Sequence, residues 1–174
     1  DPKLKLIFIC SPNNPTGNLL RNSEIEEILN RFKGIIAIDE AYIDFANAES
    51  WNKRLNEFPN MIVTQTFSKA RGLAAARLGI AYSNPEIILF LNKVKPPYNV
   101  SSLNQQAGIQ SLKNDSKIVQ QIETIKSERN RLIRELKLIE VVTKVYPTDA
   151  NFILLEIENA SDVYLKLINK GIVV

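Results

Sequence analysis

The sequence predicts an α/β fold, a three-layer sandwich around a mostly parallel sheet with one antiparallel strand, joined to an incomplete small α+β domain. Short apolar runs alternate with polar and helical segments as far as Ser83. The first two connections are long, whereas the third, Phe67 to Arg77, holds only eleven residues. Beyond Ser83 the pattern changes to helices and short strands. We therefore expect one domain over residues 1–112 and part of a second over residues 113–174.

The first predicted strand is the apolar run from Leu4 to Cys10, with Cys10 as a small core residue. A loop rich in proline and asparagine follows this strand. The next helix begins at Ser23-Glu24-Ile25-Glu26, which has the pattern of a capping box, and it continues with apolar residues at helical spacing. Gly34 is expected to end this helix as its C-cap.

Three further apolar runs predict strands: Ile35 to Asp39, Met61 to Thr66 and Leu78 to Tyr82. More than a dozen residues separate the first strand from the second, and the second from the third. Both pairs are therefore expected to be parallel, with right-handed crossovers. The short third connection is marginal for a crossover helix, so the fourth strand is predicted to run antiparallel beside the third.

The second part of the chain is predicted to be mainly helical. Helices are expected over Pro85 to Val94, over Ser101 to Leu112, in a long segment that starts near Asp115, and over Ser161 to Lys170. Two strand candidates, Val141 to Tyr146 and Phe152 to Ile157, precede the last helix, and Ile172 begins a further strand. This order of elements is typical of a small α+β unit.

Composition excludes several classes of function. A formal charge of +3 without a run of five like charges argues against a nucleic-acid partner. Lysine and asparagine interrupt every apolar run, so no membrane span is predicted. The chain has no histidine, which excludes Ser-His-Asp and Cys-His nucleophiles and removes the commonest metal ligand, so no metal site is predicted. Cys10 is the one cysteine, which excludes an internal disulfide and fits a cytoplasmic location.

Polar side chains follow the predicted strands or precede the antiparallel one: Asn14, Asp39, Tyr42, Lys69 and Arg77. In an open α/β sheet, ligands bind outside the carboxyl ends of the strands. The antiparallel strand begins on that same edge. We therefore expect all of these groups along this one edge of the sheet, the rim. Taken singly, each is explained by a turn, a strand end that faces water or a solvated charge, as we expect for Arg71. The occurrence of all five in this order favours a ligand-binding site over five unrelated surface residues.

These groups match the needs of pyridoxal 5'-phosphate. Asp39 is placed to keep the ring nitrogen protonated, so that the ring acts as an electron sink. The ring oxygen accepts hydrogen bonds, which Asn14 and Tyr42 can donate. Lys69 offers the amine for a Schiff base with the aldehyde. The phosphate is matched by the remaining donors: Arg77, Thr66 and Ser68.

Four motifs occur in order: Ser11-Pro12-Asn13-Asn14-Pro15-Thr16-Gly17, Asp39-Glu40-Ala41-Tyr42, Thr66-Phe67-Ser68-Lys69 and Arg77-Leu78-Gly79. With these motifs the chain resembles the fold-type-I pyridoxal-phosphate-dependent aminotransferases over nearly its whole length, and most nearly the histidinol-phosphate aminotransferase family. The resemblance implies part of the large domain of that fold. It also implies that Lys69 carries the cofactor and moves the substrate proton, with the other residues in the roles given above.

The resemblance further implies transamination between an amino acid and a 2-oxo acid. Histidinol phosphate and 2-oxoglutarate would be the pair, in histidine biosynthesis and in a homodimer of the full-length parent. Two alternatives stay open: a related pyridoxal-phosphate-dependent phospho-amino-acid decarboxylase that uses the same Lys69 and Asp39, and an inactive scaffold. A nucleotide-phosphate module is disfavoured, because no glycine-rich phosphate loop follows the first strand.

The chain begins at Asp1 with neither an initiator methionine nor a signal-like stretch, which indicates a piece of a longer protein. In the family that it resembles, an aromatic residue that stacks on the cofactor and a phosphate-binding loop precede the position of Asp1. A substrate-binding arginine follows the strand that stops at Val174. The resemblance therefore implies weak cofactor binding and low turnover for this stretch alone, and association through open sheet edges.

Overall fold

A computed structural model describes residues 3–174 and shows an α/β fold. Its larger sheet has the strand order β1-β2-β3-β4. The strands are β1 (Leu6–Cys10), β2 (Ile35–Asp39), β3 (Met61–Thr66) and β4 (Gly79–Ser83). The first three strands pair in parallel, and β4 runs antiparallel beside β3. The predicted sheet, including its antiparallel fourth strand, is confirmed.

The helices follow the predicted order: α2 matches its predicted bounds, and the predicted ends of the other helices differ by at most about two residues. They are α1 (Asn22–Arg31), α2 (Pro85–Val94), α3 (Ser102–Lys113), α4 (Asp115–Leu136) and α5 (Ala160–Asn169). The connection from β2 to β3 contains two short 3-10 helices, Ile43–Phe45 and Trp51–Arg54. Within residues 3–174, none of the helices is long and apolar enough to cross a membrane.

The main core lies between α1 and one face of the sheet. Ile25 and Leu29 come from successive turns of α1 and are buried against Ile36 and Ile38 of β2 and Val63 of β3. Side chains four residues apart on a helix and two apart on a strand share a face, which explains this alternation. Full burial of each of these side chains contributes roughly 1.5–3 kcal/mol. The packing fixes the edge at which the three parallel strands end.

Two predictions about the start of the sheet are wrong. Cys10 is exposed and does not belong to the core, because it lies on the face of β1 opposite the buried Ile9. Gly34 does not form a left-handed C-cap, since α1 ends at Arg31 and the C-cap Phe32 is extended. A Cβ at Gly34 would collide with the carbonyl oxygen of Lys5. Close backbone approach is therefore the reason for this glycine.

The start of α1 also differs from the prediction. Arg21 occupies the N-cap position, so Ser23 lies inside the helix. The carboxylate of Glu24 accepts a hydrogen bond from the backbone N–H of Arg21 at 3.2 Å. Glu24 therefore serves one orphan donor at the helix start, as in a capping box, whereas the serine hydroxyl does not take part.

The C-terminal unit contains an antiparallel pair, β5 (Val142–Val145) and β6 (Leu155–Ile157). The strand predicted to begin at Ile172 is wrong, since residues 172–174 have no regular structure. Val173 is 82% exposed, and a strand forms only where a neighbouring strand takes up its backbone hydrogen bonds. Within the residues described, the small sheet has the order β5-β6 and no third strand.

The loop after β1 binds the C-terminal unit through its backbone. The carbonyl oxygen of Gly17 accepts a hydrogen bond from the N–H of Asp149 at 2.7 Å. The carboxylate of Asp149 in turn accepts a bond from the N–H of Leu19 at 3.0 Å. Gly17 has a φ of +79°, and a Cβ at this position would collide with the side chain of Thr148. Glycine is therefore required both for its backbone angle and for space.

Gly17→Ala is expected to lower the free energy of unfolding by about 2–4 kcal/mol, because a left-handed alanine costs about 1–2 kcal/mol and the collision with Thr148 adds to this. Gly72→Ala is the matched control, since Gly72 has a φ of +66° and open space around it. That control should lose only the backbone cost, about 1–2 kcal/mol. Urea unfolding of both variants measures the difference, and equal losses would contradict the contact with Thr148.

Candidate active site at the carboxyl edge of the sheet

The structure brings together three of the predicted site residues, each from the loop after a different parallel strand. The side-chain amide of Asn14 donates a hydrogen bond to the hydroxyl of Tyr42 at 3.0 Å. The Nζ atom of Lys69 lies 5.1 Å from the centroid of the Tyr42 ring. Because parallel strands end at the same edge, residues from distant parts of the sequence meet there. Amide, phenol and amine thus form one contact group.

The loop that carries Asn14 is held by its own backbone. The N–H of Ser11 donates to the carbonyl oxygen of Asp39 at 3.0 Å, and the N–H of Gly17 donates to that of Asn13 at 2.7 Å. The buried hydroxyl of Ser11 accepts a hydrogen bond from the N–H of Leu20 at 3.0 Å. These bonds close the loop on the end of β2 and leave Asn14 at its tip. The amide therefore reaches Tyr42 from a fixed support.

Tyr42 has a buried ring and a polar hydroxyl at the rim. The ring of Phe152 stands edge-on to it, with centroids 5.1 Å apart and an interplanar angle of 84°, a favourable geometry for aromatic pairs. Phe45, Ala70 and Ala150 are buried in the same cluster. Apolar packing thus holds the ring in place and fixes the position at which its hydroxyl meets Asn14.

Asp39 ends β2 in the middle of the rim. In the ladder it lies between Cys10 of β1 and Thr64 of β3. One carboxylate oxygen accepts a hydrogen bond from the N–H of Ala41 at 3.0 Å. The second oxygen has no hydrogen-bond partner among residues 3–174. Asp39 therefore presents an acceptor at the edge where Lys69 and Tyr42 lie.

The charge of Asp39 should be measurable through Cys10. Partial burial and, secondly, the negative charge of Asp39 raise the pKa of the Cys10 thiol above its ordinary value. A raised pKa leaves less thiolate at pH 8, so alkylation of Cys10 should be slow. Asp39→Asn removes one of the two causes, lowers the pKa of the Cys10 thiol and is expected to speed iodoacetamide labelling at pH 8. Glu24→Asn, far from Cys10, should leave the rate unchanged; an unchanged rate in Asp39→Asn would contradict the effect.

The predicted phosphate residues lie at the turn between β3 and β4. The hydroxyl of Thr66 accepts a hydrogen bond from the N–H of Ser68 at 3.0 Å and donates to the carbonyl oxygen of Leu78 at 3.3 Å. Thr66 pairs with Gly79 in the ladder, which brings the start of β4 to the same edge. Arg77 precedes Gly79 by two positions, so its backbone lies beside Thr66 and Ser68.

Arg77 has an unusual backbone and an exposed side chain. Its φ of 52° and ψ of 41° are left-handed, which is uncommon for a residue other than glycine and is typical of functional sites. Its guanidinium donates to the carbonyl oxygen of Ala74 at 3.1 Å. Within the described residues, no hydrogen bond joins Arg77 to Thr66 or Ser68. The structure thus places the three residues at one edge without direct contact of the guanidinium with the hydroxyls.

Glu40 is a buried carboxylate that the sequence interpretation missed. It is 1% exposed, whereas Asp39-Glu40 had the pattern of a strand end that faces water. Its oxygens accept hydrogen bonds from the hydroxyl of Ser50, from the N–H of Trp51 at 2.8 Å and from the amide of Gln65 at 2.9 Å. The available signal was Gln65, a polar residue inside an apolar strand. Glu40 thereby joins the ends of β2 and β3 beneath the rim.

The prediction that Arg71 is a solvated surface charge is also wrong. It donates to the carbonyl oxygen of Ser111 at 3.2 Å and to the carboxylate of Asp115 at 2.8 Å. The guanidinium also lies 5.6 Å from the centroid of the Phe67 ring. Arg71 therefore ties the loop after Lys69 to α3 and α4. Nothing in its sequence neighbourhood indicates these partners, which lie about forty positions further on.

The side chains at this edge suit an anionic heteroaromatic aldehyde better than a metal ion. Lys69 supplies an amine, Asp39 an acceptor for a protonated ring nitrogen, and Asn14 with Tyr42 the donors for a ring oxygen. A cleft of about 490 Å³ opens between the loop of Lys69 and α4. Among residues 3–174, no group of three cysteine or acidic side chains could hold a metal ion. The donor set fits pyridoxal phosphate.

Comparisons with known proteins identify the family and the fold. The profile of the family described as "Aminotransferase class I and II" matches residues 1–174. A histidinol-phosphate aminotransferase from Flavobacterium johnsoniae is 50% identical over 174 residues, which are 100% of this chain and 50% of that relative. The chain thus spans about half the length of the curated relatives it matches.

Solved structures show the same fold. The histidinol-phosphate aminotransferase from Clostridium acetobutylicum superposes with a TM-score of 0.89 at 28% identity, over 97% of this chain and 53% of that one. The enzyme from Sinorhizobium meliloti, solved in complex with pyridoxal-5'-phosphate, gives 0.87 at 25% identity, over 97% and 48%. Because the family profile covers its whole length, the chain belongs to the class I and II aminotransferases.

Proposed function

We propose that this chain carries the cofactor site of a pyridoxal-phosphate-dependent aminotransferase whose substrate is histidinol phosphate. The observation that carries the proposal is the contact group of Asn14, Tyr42 and Lys69 at the carboxyl edge of the sheet. The relative that is 50% identical is a histidinol-phosphate aminotransferase, which supports the substrate. The structure from Sinorhizobium meliloti, which contains pyridoxal-5'-phosphate, supports the cofactor.

Bound pyridoxal phosphate supplies an aldehyde for amino-group exchange and a ring that withdraws electrons from the substrate α-carbon. Lys69 would offer its amine to the aldehyde and would move the proton at the substrate α-carbon. Asp39 would keep the ring nitrogen protonated, because one of its carboxylate oxygens is left over from the bond to the N–H of Ala41. Tyr42 and Asn14, already joined at 3.0 Å, would donate hydrogen bonds to the ring oxygen.

The phosphate is assigned to the turn between β3 and β4. Thr66 and Ser68 offer hydroxyls, and Arg77 offers a planar guanidinium that suits phosphate oxygens. The hydrogen bond from the Ser68 N–H fixes the Thr66 oxygen, and the Thr66 proton, now donated to the carbonyl oxygen of Leu78, would turn to the phosphate. Among the residues that the structure describes, only the Nη1 atom of Arg77 is engaged, by the carbonyl oxygen of Ala74, so its other guanidinium donors remain for the phosphate. Its exposed side chain leaves it free to reach the phosphate.

The remaining parts of the proposal concern the whole protein. Residues 1–112 are assigned to a cofactor-binding domain and residues 113–174 to part of a smaller one. The partners are a small-molecule amino acid and a 2-oxo acid, and the full-length protein is expected to be a homodimer. A cytoplasmic location suits an exposed single cysteine, because a reducing compartment keeps the Cys10 thiol intact.

One half-reaction tests the function. The full-length protein that contains this chain, loaded with pyridoxal phosphate, is incubated with histidinol phosphate, and pyridoxamine phosphate is quantified by mass spectrometry. Formation well above that with free cofactor, lost in Lys69→Ala, is expected. O-phosphothreonine in a parallel sample tests the decarboxylase alternative, which predicts release of carbon dioxide instead. Failure to form pyridoxamine phosphate, although cofactor is bound at Lys69, would contradict the proposed reaction.

A further inference from the structure

Arg129 of α4 holds two buried backbone carbonyls at once. Its Nη1 atom donates to the carbonyl oxygen of Ala150 at 2.8 Å and to that of Phe45 at 3.1 Å. Phe45 and Ala150 are both 0% exposed. Phe45 lies in the connection from β2 to β3, and Ala150 lies in the connection from β5 to β6. A single nitrogen of the half-buried Arg129 guanidinium therefore joins these two connections.

Both carbonyls lie in segments that position Tyr42. Tyr42 is the N-cap of the 3-10 helix that Phe45 ends, and the N–H of Phe45 donates to the carbonyl oxygen of Tyr42 at 3.1 Å. Ala150 precedes Phe152 by two residues, and the ring of Phe152 packs edge-on against Tyr42 at 5.1 Å. Arg129 thus supports the backbone that carries Tyr42 on one side and the aromatic ring that packs on it on the other.

We infer that Arg129 is a positioning residue, which acts through Tyr42 on the place where Asn14 and Lys69 meet. A hydrogen bond from a charged donor is stronger than one between neutral groups, and a buried carbonyl that loses its donor is costly. Without the guanidinium, the two segments would move apart and free the Tyr42 ring. The inference rests on the proposed function only in so far as Tyr42 belongs to the cofactor site.

The first test needs no cofactor. The chain is labelled with 3-fluorotyrosine, and the fluorine resonance of Tyr42 is assigned as the one missing in Tyr42→Phe. The spectra are recorded well below the melting temperature. Arg129→Met, which keeps the apolar stem of the side chain, is expected to shift or broaden the Tyr42 resonance. The resonances of Tyr98 and Tyr164 should not move. Arg129→Lys, which keeps the charge and an N–H donor but not the planar guanidinium, should restore the signal in part.

Arg131→Met is the matched control, because Arg131 lies on the same helix and pairs with Glu128 and Glu135 at the surface. It should leave the Tyr42 resonance unchanged. A merely structural role of Arg129 would lower the melting temperature and leave the Tyr42 resonance of the folded protein in place. That outcome would overturn the inference.

The second test adds the cofactor. In Arg129→Met, the rate at which borohydride fixes pyridoxal phosphate on Lys69 is expected to fall at least about tenfold, because small displacements of positioning groups have effects of this size. An unchanged rate would overturn the link to Lys69. Absence of fixation in the unsubstituted chain would instead contradict the proposed function, whereas the fluorine experiment would still decide the role of Arg129.

Discussion

Replacing Glu40 by alanine is expected to lower the free energy of unfolding by about 2–4 kcal/mol, because buried donors that lose their acceptor cost about 1–3 kcal/mol each. The donors concerned are the hydroxyl of Ser50, the N–H of Trp51 and the amide of Gln65. The amide of Gln65 also donates to Ser50 at 2.9 Å, so part of the network can survive. This keeps the expected loss below the full sum.

Chemical denaturation of Glu40→Ala and of a matched control measures this loss. Glu27→Ala removes an exposed ion pair with Arg31, whose side chains are 64% and 78% exposed, and should cost less than about 0.5 kcal/mol. Glu40→Gln keeps one acceptor oxygen and is expected to fall between the two. If Glu40→Ala lowers the free energy of unfolding no more than Glu27→Ala does, the buried hydrogen bonds of Glu40 do not stabilise this edge of the sheet.

Replacing Asp39 by asparagine is expected to slow amino-group transfer about 10²–10³-fold, the usual effect of removing a group that stabilises charge in the transition state. In the structure, the carboxylate of Asp39 accepts a hydrogen bond from the N–H of Ala41 at 3.0 Å. Asparagine retains an oxygen that can accept this bond, so the end of β2 should keep its shape. It cannot hold a proton on the ring nitrogen, and the ring then withdraws electrons less well.

The half-reaction with histidinol phosphate, followed by the yield of pyridoxamine phosphate, measures this effect. Borohydride fixation on Lys69 should persist in Asp39→Asn, because the amine and the aldehyde remain. Asp162→Asn, at the start of α5, is the control and should behave as the unsubstituted chain does. Equal rates in Asp39→Asn and the control would show that Asp39 does not face the ring nitrogen.

Much of the sheet could be predicted from the sequence, because apolar runs and connection lengths are local properties. The run from Ile35 to Asp39 matches β2, and the short connection before β4 correctly predicted its antiparallel direction. The strand predicted at Ile172 failed because a strand depends on a partner, and an apolar run does not reveal whether one is present. The prediction that Cys10 is buried failed for a related reason. Side chains alternate between the two faces of β1, and the sequence does not show which face is covered.

The rim could be predicted and its supports could not. Asn14, Tyr42 and Lys69 each follow an apolar strand, so their common edge is implied by the order of the strands. Glu40 and Arg129 are held by residues distant in sequence, such as Gln65 and Ala150. Such partners depend on the packing of whole elements. A carboxylate or guanidinium with no obvious neighbour in sequence has the pattern of a solvated charge.

The most direct test of the account is where pyridoxal phosphate becomes attached. The purified chain is mixed with the cofactor and reduced with borohydride, and the adduct is located by peptide mass spectrometry. The account predicts one stoichiometric adduct on Lys69, beside the Tyr42 ring, and its loss in Lys69→Ala. Labelling spread over other lysines, such as Lys93 and Lys117, with Lys69 not preferred, would contradict a cofactor site at this edge of the sheet.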